Sequence, residues 1–128
     1  EFVEWIRHVG PEQLDRLQHL LLHEETHNVR LAVQLLQGGG VPRDLLTDLF
    51  VAWKRAPRGR LRRDLRRLLE LNLPESDRWV LSLRIGLSDT LTWEARERNI
   101  RRFTEGTVLD EGRLRAALAL EAGRGGQT

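Results

Sequence analysis

Leucines recur at helical spacing in short runs, and glycine or proline closes each run; this alternation constrains the fold more than any other feature. Leu14, Leu17, Leu20 and Leu21 follow Gly10-Pro11, with Glu12, Gln13, Asp15, Arg16 and Gln18 filling the opposite face. Proline is favoured at the first helical position, so a helix is predicted to start there. Positions 23–28 hold no apolar residue, after which Val29, Ala32, Val33 and Leu36 resume a stripe that ends in Gly38-Gly39-Gly40. The pattern is that of a helix, a short polar turn and a second helix. Val41-Pro42 restarts it with Leu45, Leu46, Leu49, Phe50 and Trp53 on one face, and Pro57 and Gly59 interrupt again. Leu61, Leu65, Leu68 and Leu69 carry a fourth stripe to Asn72 and Pro74.

Composition agrees with helices. Leucine supplies 25 of 128 residues while aromatics make up only 5%, so the apolar content comes from good helix formers. The absence of cysteine removes disulfides, thiolate metal sites and a cysteine nucleophile together. Any metal site would have to use His and carboxylates. No apolar run approaches the roughly 18 residues of a membrane helix, so no membrane partner is expected and a cytoplasmic location is. The chain opens on Glu1 and contains no methionine, so it is expected to be an excerpt of a longer protein. A pI of 10.3 suggests a polyanion partner, yet the net charge is only +2. With 20 Arg, one Lys and no Tyr or Cys, almost nothing titrates between histidine and arginine, and a small positive excess persists to very high pH. The preference for Arg beside abundant Leu, Ala and Gly is also what a high-GC bacterial genome tends to encode.

Residues 79–87 are ambiguous. Leu81, Leu83, Ile85 and Leu87 alternate with polar residues as a half-buried strand would, while Trp79, Val80, Leu83 and Leu87 fit a helix. A helix is favoured, since an isolated strand lacks a partner. Beyond Ser88-Asp89, a candidate N-cap, Leu91, Trp93, Ile100 and Phe103 lie among mixed charges that can pair along a helix. A last helix is predicted from about Asp110, with Leu114, Ala117 and Leu118 on its apolar side. The organisation expected is a single helical domain over 1–122 and a flexible, glycine-rich tail over 123–128. Helix-turn-helix units of about thirty residues, here 11–37 and 42–71, cannot each bury a leucine stripe alone and usually stack on neighbours. The fold class is therefore all-α, with antiparallel helix pairs stacked as a HEAT-like helical repeat or an irregular bundle.

The stretch from Leu20 through His23-Glu24-Glu25-Thr26-His27-Asn28 to Gly38 resembles a segment of bacterial leucine-rich-repeat proteins that carry a HEAT-like helical region. In that segment a leucine-ended helix, a short acidic turn, an Asn and an apolar helix ending in glycine recur. Val41 to Phe50, the basic and leucine-rich 61–74, and Leu109 to Gly125 are similar to further parts of the pattern, and the likeness spans about 70 residues. It implies a helical scaffold that binds other macromolecules, with no catalytic residues to carry over. The chain departs from the family in having no leucine-rich repeat proper.

Four constellations bear on function. Lys54, Arg55, Arg58, Arg60, Arg62, Arg63, Arg66 and Arg67 have only Asp64 against them. They suit a phosphate-contacting stripe, or equally a solvated helix face opposite Leu61, Leu65 and Leu68; with no aromatic interleaved to stack bases, the solvated face is favoured. Of the four tryptophans, Trp53 and Trp93 are expected in the core, while Phe2, Trp5 and Ile6 form the candidate partner-binding surface. His8 and His19 stand alone, and Gly38-Gly39-Gly40 lacks the strand and Lys-Ser/Thr of a phosphate loop. His23-Glu24-Glu25-Thr26-His27 matches the zinc-protease pattern H-E-x-x-H, with His23, Glu24 and His27 as the metal-site residues. That chemistry needs an unbroken helix, so that residues four apart present both imidazoles on one face. Here the residues fall where a turn is expected, and only Asp44 and Asp48 stand where a glutamate third ligand would be sought. The expectation is thus no catalytic residue, metal or cofactor, and a non-catalytic scaffold for protein–protein interaction. Nucleic-acid or polyanion binding through 54–67 is the alternative, and a zinc metallopeptidase the more distant one.

Overall fold

The computed structural model describes residues 10–83, 86–87 and 91–125, and over 121–125 the backbone only. Phe2, Trp5, Ile6, His8 and the Ser88-Asp89 pair lie outside these residues. The described chain is all-helical, with no strand.

Local chemistry accounts for each boundary. Helix α1, Pro11–Leu21, starts on Pro11, and the Gln13 carboxamide oxygen accepts the Gly10 N–H at 3.1 Å. The polar residues that follow form the expected turn, and α2, Thr26–Gly39, packs against α1. Gly40 ends it at φ 84°, a left-handed conformation that costs a side chain energy and glycine none. After a short 3₁₀ turn at Arg43–Leu45 comes α3, Leu46–Arg55. Pro57 restricts the residue before it to extended backbone, and Ala56 accordingly stops α3 at ψ 138°. Gly59, at φ 142°, turns the chain into α4, Arg60–Asn72, and Leu73 before Pro74 ends that helix in the same way. A second 3₁₀ segment, Glu75–Leu81, covers only the start of 79–87, where a helix is favoured; Ser82, Leu83, Gly86 and Leu87 lie in neither helix nor strand, and 84–85 lie outside the described residues. Helix α5, Trp93–Thr104, is capped by the Thr92 hydroxyl, which accepts the Ala95 N–H at 3.2 Å. Helix α6, Glu111–Gly125, is capped by Asp110, whose carboxylate accepts the Arg113 N–H at 2.7 Å. The backbone of the expected tail is therefore still helical through Gly125.

Helices α1 and α2, α3 and α4, and α5 and α6 pack as consecutive pairs. The first two pairs also meet helix for helix, α1 on α3 and α2 on α4, whereas α6 packs across α3. Helix α3 is the hub, buried continuously from Leu46 to Trp53. Phe50 meets Phe103 of α5 edge-on at 4.8 Å between ring centres and Trp53 at 5.9 Å. Leu61, Leu65, Leu68 and Leu69 bury the inner side of α4, each contributing roughly 1.5–3 kcal/mol. Trp53 is core as expected, but Trp93 is 72% exposed. It occupies the first position of α5, a turn before the Glu97 that pairs with Arg115 of α6.

Candidate functional site

The basic run divides into two sets. The tight turn at Pro57 and Gly59 folds the first turn of α4 back against the end of α3, whose last carbonyls lack intrahelical partners. Arg62 fills that role, donating to the carbonyls of Trp53 at 2.7 Å and Ala56 at 2.8 Å while its guanidinium lies 5.0 Å from the centre of the Trp53 ring. Arg55 donates to the carbonyls of Leu22 and His23, tying the α1–α2 turn to α3. Arg66 reaches the Leu81 carbonyl at 3.4 Å and the Glu70 carboxylate at 3.6 Å. Lys54 donates to the Leu83 carbonyl at 2.6 Å, with its ammonium 5.1 Å from the ring centres of both Trp53 and Phe103 and 5.8 Å from that of Phe50. Burial, with the Arg62 guanidinium adding to it, lowers Lys54 to about 8; the ring faces and the carbonyl favour the charged form. Lys54, Arg55 and Arg62 hold backbone in place, while Arg66 is itself exposed and its carbonyl contact is long. The second set, Arg58, Arg60, Arg63 and Arg67, is exposed, and no acidic residue occupies the first turn of α4.

The five residues of the H-E-x-x-H match straddle a break. His23, Glu24 and Glu25 lie in the turn, while Thr26 and His27 open α2, so the two imidazoles do not share a helix face. The His23 Nδ1 accepts the Glu25 N–H at 3.1 Å and stands 3.1 Å from the Asn28 amide nitrogen. Both contacts are met by the tautomer protonated at Nε2. His27 is exposed and lies 3.3 Å from the Glu25 carboxylate. Asp48, one of the two residues that could stand in as a third ligand, is engaged elsewhere. It is wholly buried, accepting from Gln18 of α1 and Arg113 of α6, each at 2.9 Å. Burial pushes its carboxyl above the ordinary Asp value, against the opposing pull of the Gln18 bond and the Arg113 charge.

His23, Glu24 and Thr26 instead form part of the rim of an open cavity of about 260 Å³, floored by Val29, Ala52 and Leu61. It is smaller than most small-molecule sites, which run from roughly 300 to 1,000 Å³. Among the described residues no three His, Asp or Glu side chains are grouped to hold a metal ion, and no helix is long and apolar enough to cross a membrane.

A surface feature that the leucine stripes do not reveal is on α2. Its inward stripe is Val29, Ala32, Val33 and Leu36, but Leu31 and Leu35, one turn apart on another side, are 47% and 45% exposed. Leu71 at the end of α4 and Trp79 are exposed as well, in addition to Trp93. No protein-family model, curated protein or solved structure matches the chain.

Proposed function

We propose that this chain is a non-catalytic helical scaffold that binds a protein partner. The observation that carries the proposal is the outer face of α2, where Leu31 and Leu35 stand nearly half exposed on a helix whose core stripe is already filled. Apolar side chains at a helical spacing outside the core are what a second helix or sheet would cover, and depletion of charge marks the centre of interfaces. From Leu31 to Pro42 no residue is charged, in a chain that is 31% charged. The helix-for-helix meeting of the first two pairs supports a HEAT-like stack, with α6 crossing α3 as its irregular end.

Polyanion binding is the second reading, and the exposed Arg60, Arg63 and Arg67, which follow one ridge of α4, favour it. Lys54, Arg55 and Arg62 weigh against it, since their hydrogen bonds to the chain's own carbonyls are made at the expense of phosphate contacts. Two measurements separate the readings. A photocrosslinking residue placed at Leu35 should capture a protein in the native cell while the same residue at Arg98 of α5 captures none. Absence of any crosslink from Leu31, Leu35 or Trp93 would refute the protein-binding reading. Salt-sensitive heparin retention that disappears in R63E/R67E would install the polyanion reading in its place.

A further inference from the structure

Lys54 is the one lysine of the chain, and it stands in the last turn of α3 in surroundings unlike those of a surface lysine. Its Nζ lies 5.1 Å from the ring centres of Trp53 and Phe103 and 5.8 Å from that of Phe50, and it donates a hydrogen bond of 2.6 Å to the Leu83 carbonyl. Among the described residues no carboxylate pairs with it. The difference matters chemically. A carboxylate partner holds a lysine in the charged form, in which the nitrogen has no lone pair to offer. A carbonyl accepts an N–H from the neutral amine as well as from the ammonium, so the lone pair stays free while the rings restrict where the nitrogen can go.

The charges around Lys54 act in the same direction. On α4 the guanidinium of Arg62 lies 5.0 Å and that of Arg66 5.7 Å from the Trp53 ring centre, so three cations share one indole. Glu70 lies against Arg66, at 3.6 Å, and α5 brings the Phe103 ring rather than a charge to the amine. Burial and the Arg62 charge together lower Lys54 to about 8. At pH 7.5 roughly a quarter of such amines are neutral, against about one in a thousand of ordinary lysines.

We propose that Lys54 is an acylation site whose reagent is an anionic acyl donor of the acyl phosphate class. The neutral nitrogen attacks the acyl carbonyl carbon. A C–N bond forms, the C–O bond to phosphate breaks, inorganic phosphate leaves with that electron pair, and the surplus proton of the amine goes to water. Lys54 is partly exposed, so a donor of this size reaches it with α3 intact. Arg66, exposed beside the same indole, attracts the phosphate of the donor. The amide product is uncharged, keeps one N–H for the Leu83 carbonyl and ends the repulsion from Arg62. The assignment is independent of the scaffold reading above.

Incubating the folded chain with acetyl phosphate and mapping the product by peptide mass spectrometry tests it, and Arg98→Lys supplies an ordinary exposed lysine on α5 of the same molecule. The larger neutral fraction favours Lys54 by more than about a hundredfold at pH 7.5, and the weaker nucleophilicity of a weaker base takes back about tenfold, so Lys54 should be acetylated about tenfold faster than position 98. In the unaltered chain the initial rate at Lys54 should level off above about pH 8. Arg66→Gln should slow the reaction with acetyl phosphate severalfold and leave that with neutral N-acetoxysuccinimide unchanged. Acetylation at Lys54 no faster than at position 98, or a rate still climbing steeply beyond the levelling point, overturns the proposal. An advantage of Lys54 that is the same with both reagents and indifferent to R66Q overturns the assignment of the acyl phosphate as donor.

Discussion

Replacing Arg62 by alanine should destabilise the chain as much as a core truncation does, although arginines on helix surfaces are ordinarily dispensable. Its guanidinium makes two hydrogen bonds of 2.7 and 2.8 Å to carbonyls at the end of α3 and lies 5.0 Å from the Trp53 ring centre. Hydrogen bonds from a charged donor are worth about 1.5–3 kcal/mol each, and the partial exposure of this residue favours the lower end. A cation over an aromatic face adds about 0.5–1 kcal/mol, and the three contacts, sharing one group, do not sum fully. The expected loss is therefore roughly 2–4 kcal/mol. Arg63→Ala, one position on and exposed, should change stability by less than about 0.5 kcal/mol. Arg62→Lys should recover only part of the loss, because an ammonium can neither fork between two carbonyls nor stack flat. Urea unfolding followed by far-ultraviolet circular dichroism measures all three. Equal, small effects at Arg62 and Arg63 would show that the basic helix is a solvated face after all.

Arg113→Ala should strand the wholly buried Asp48 carboxylate and cost about 3–5 kcal/mol near neutral pH. Since the folded chain holds the Asp48 proton more tightly than the unfolded one, this group's contribution is most favourable below the ordinary Asp range and is lost as pH rises through its raised value; the R113A deficit should thus shrink in acid, and a deficit constant with pH would count against the pairing. Lys54 titrates the other way: its folded value of about 8 lies below the ordinary 10.5, so the unfolded chain binds the extra proton and stability should rise between those values. With one lysine and no tyrosine or cysteine, that alkaline rise reports essentially one side chain, should amount to about 1–2 kcal/mol once its partial exposure is discounted, and should vanish in K54M when urea unfolding is repeated from neutral to alkaline pH.

The first four α-helices were legible because two independent signals coincide in them. Gly10-Pro11, Gly38-Gly39-Gly40, Pro57 with Gly59, and Pro74 act on the backbone within a residue or two, and the leucine stripes between them fill whole turns. What stayed hidden depends on contacts far along the chain. Thr47 and Asp48 interrupt the apolar side of α3 and look solvent-facing, yet α3 is enclosed. Thr47 accepts the Asp110 N–H at 3.1 Å from 63 residues away, and Arg113 is 65 away from Asp48. Trp93 has the right spacing from Ile100 for the core, but spacing does not say that the first turn of α5 lies where little covers it. The Arg62 cap had a local cue. Pro57 and Gly59 shorten the connection so much that the third residue of α4 must lie beside the open end of α3, where carbonyls need a donor and arginine supplies one.

The same logic gives the α2 face its weight. A helix at the edge of a small bundle needs one apolar stripe, and any second stripe costs solubility without contributing to the fold. Lys54, Arg55 and Arg62 depart from the expectation for exposed basic residues, and each departure is accounted for by a carbonyl it satisfies inside the chain. Leu31 and Leu35 depart from the expectation for exposed helix positions, and no contact within the described residues accounts for how much of them remains uncovered. Local rules broken with internal compensation belong to the fold. A rule broken without it, as at Leu31 and Leu35, is what the proposed partner contact would account for.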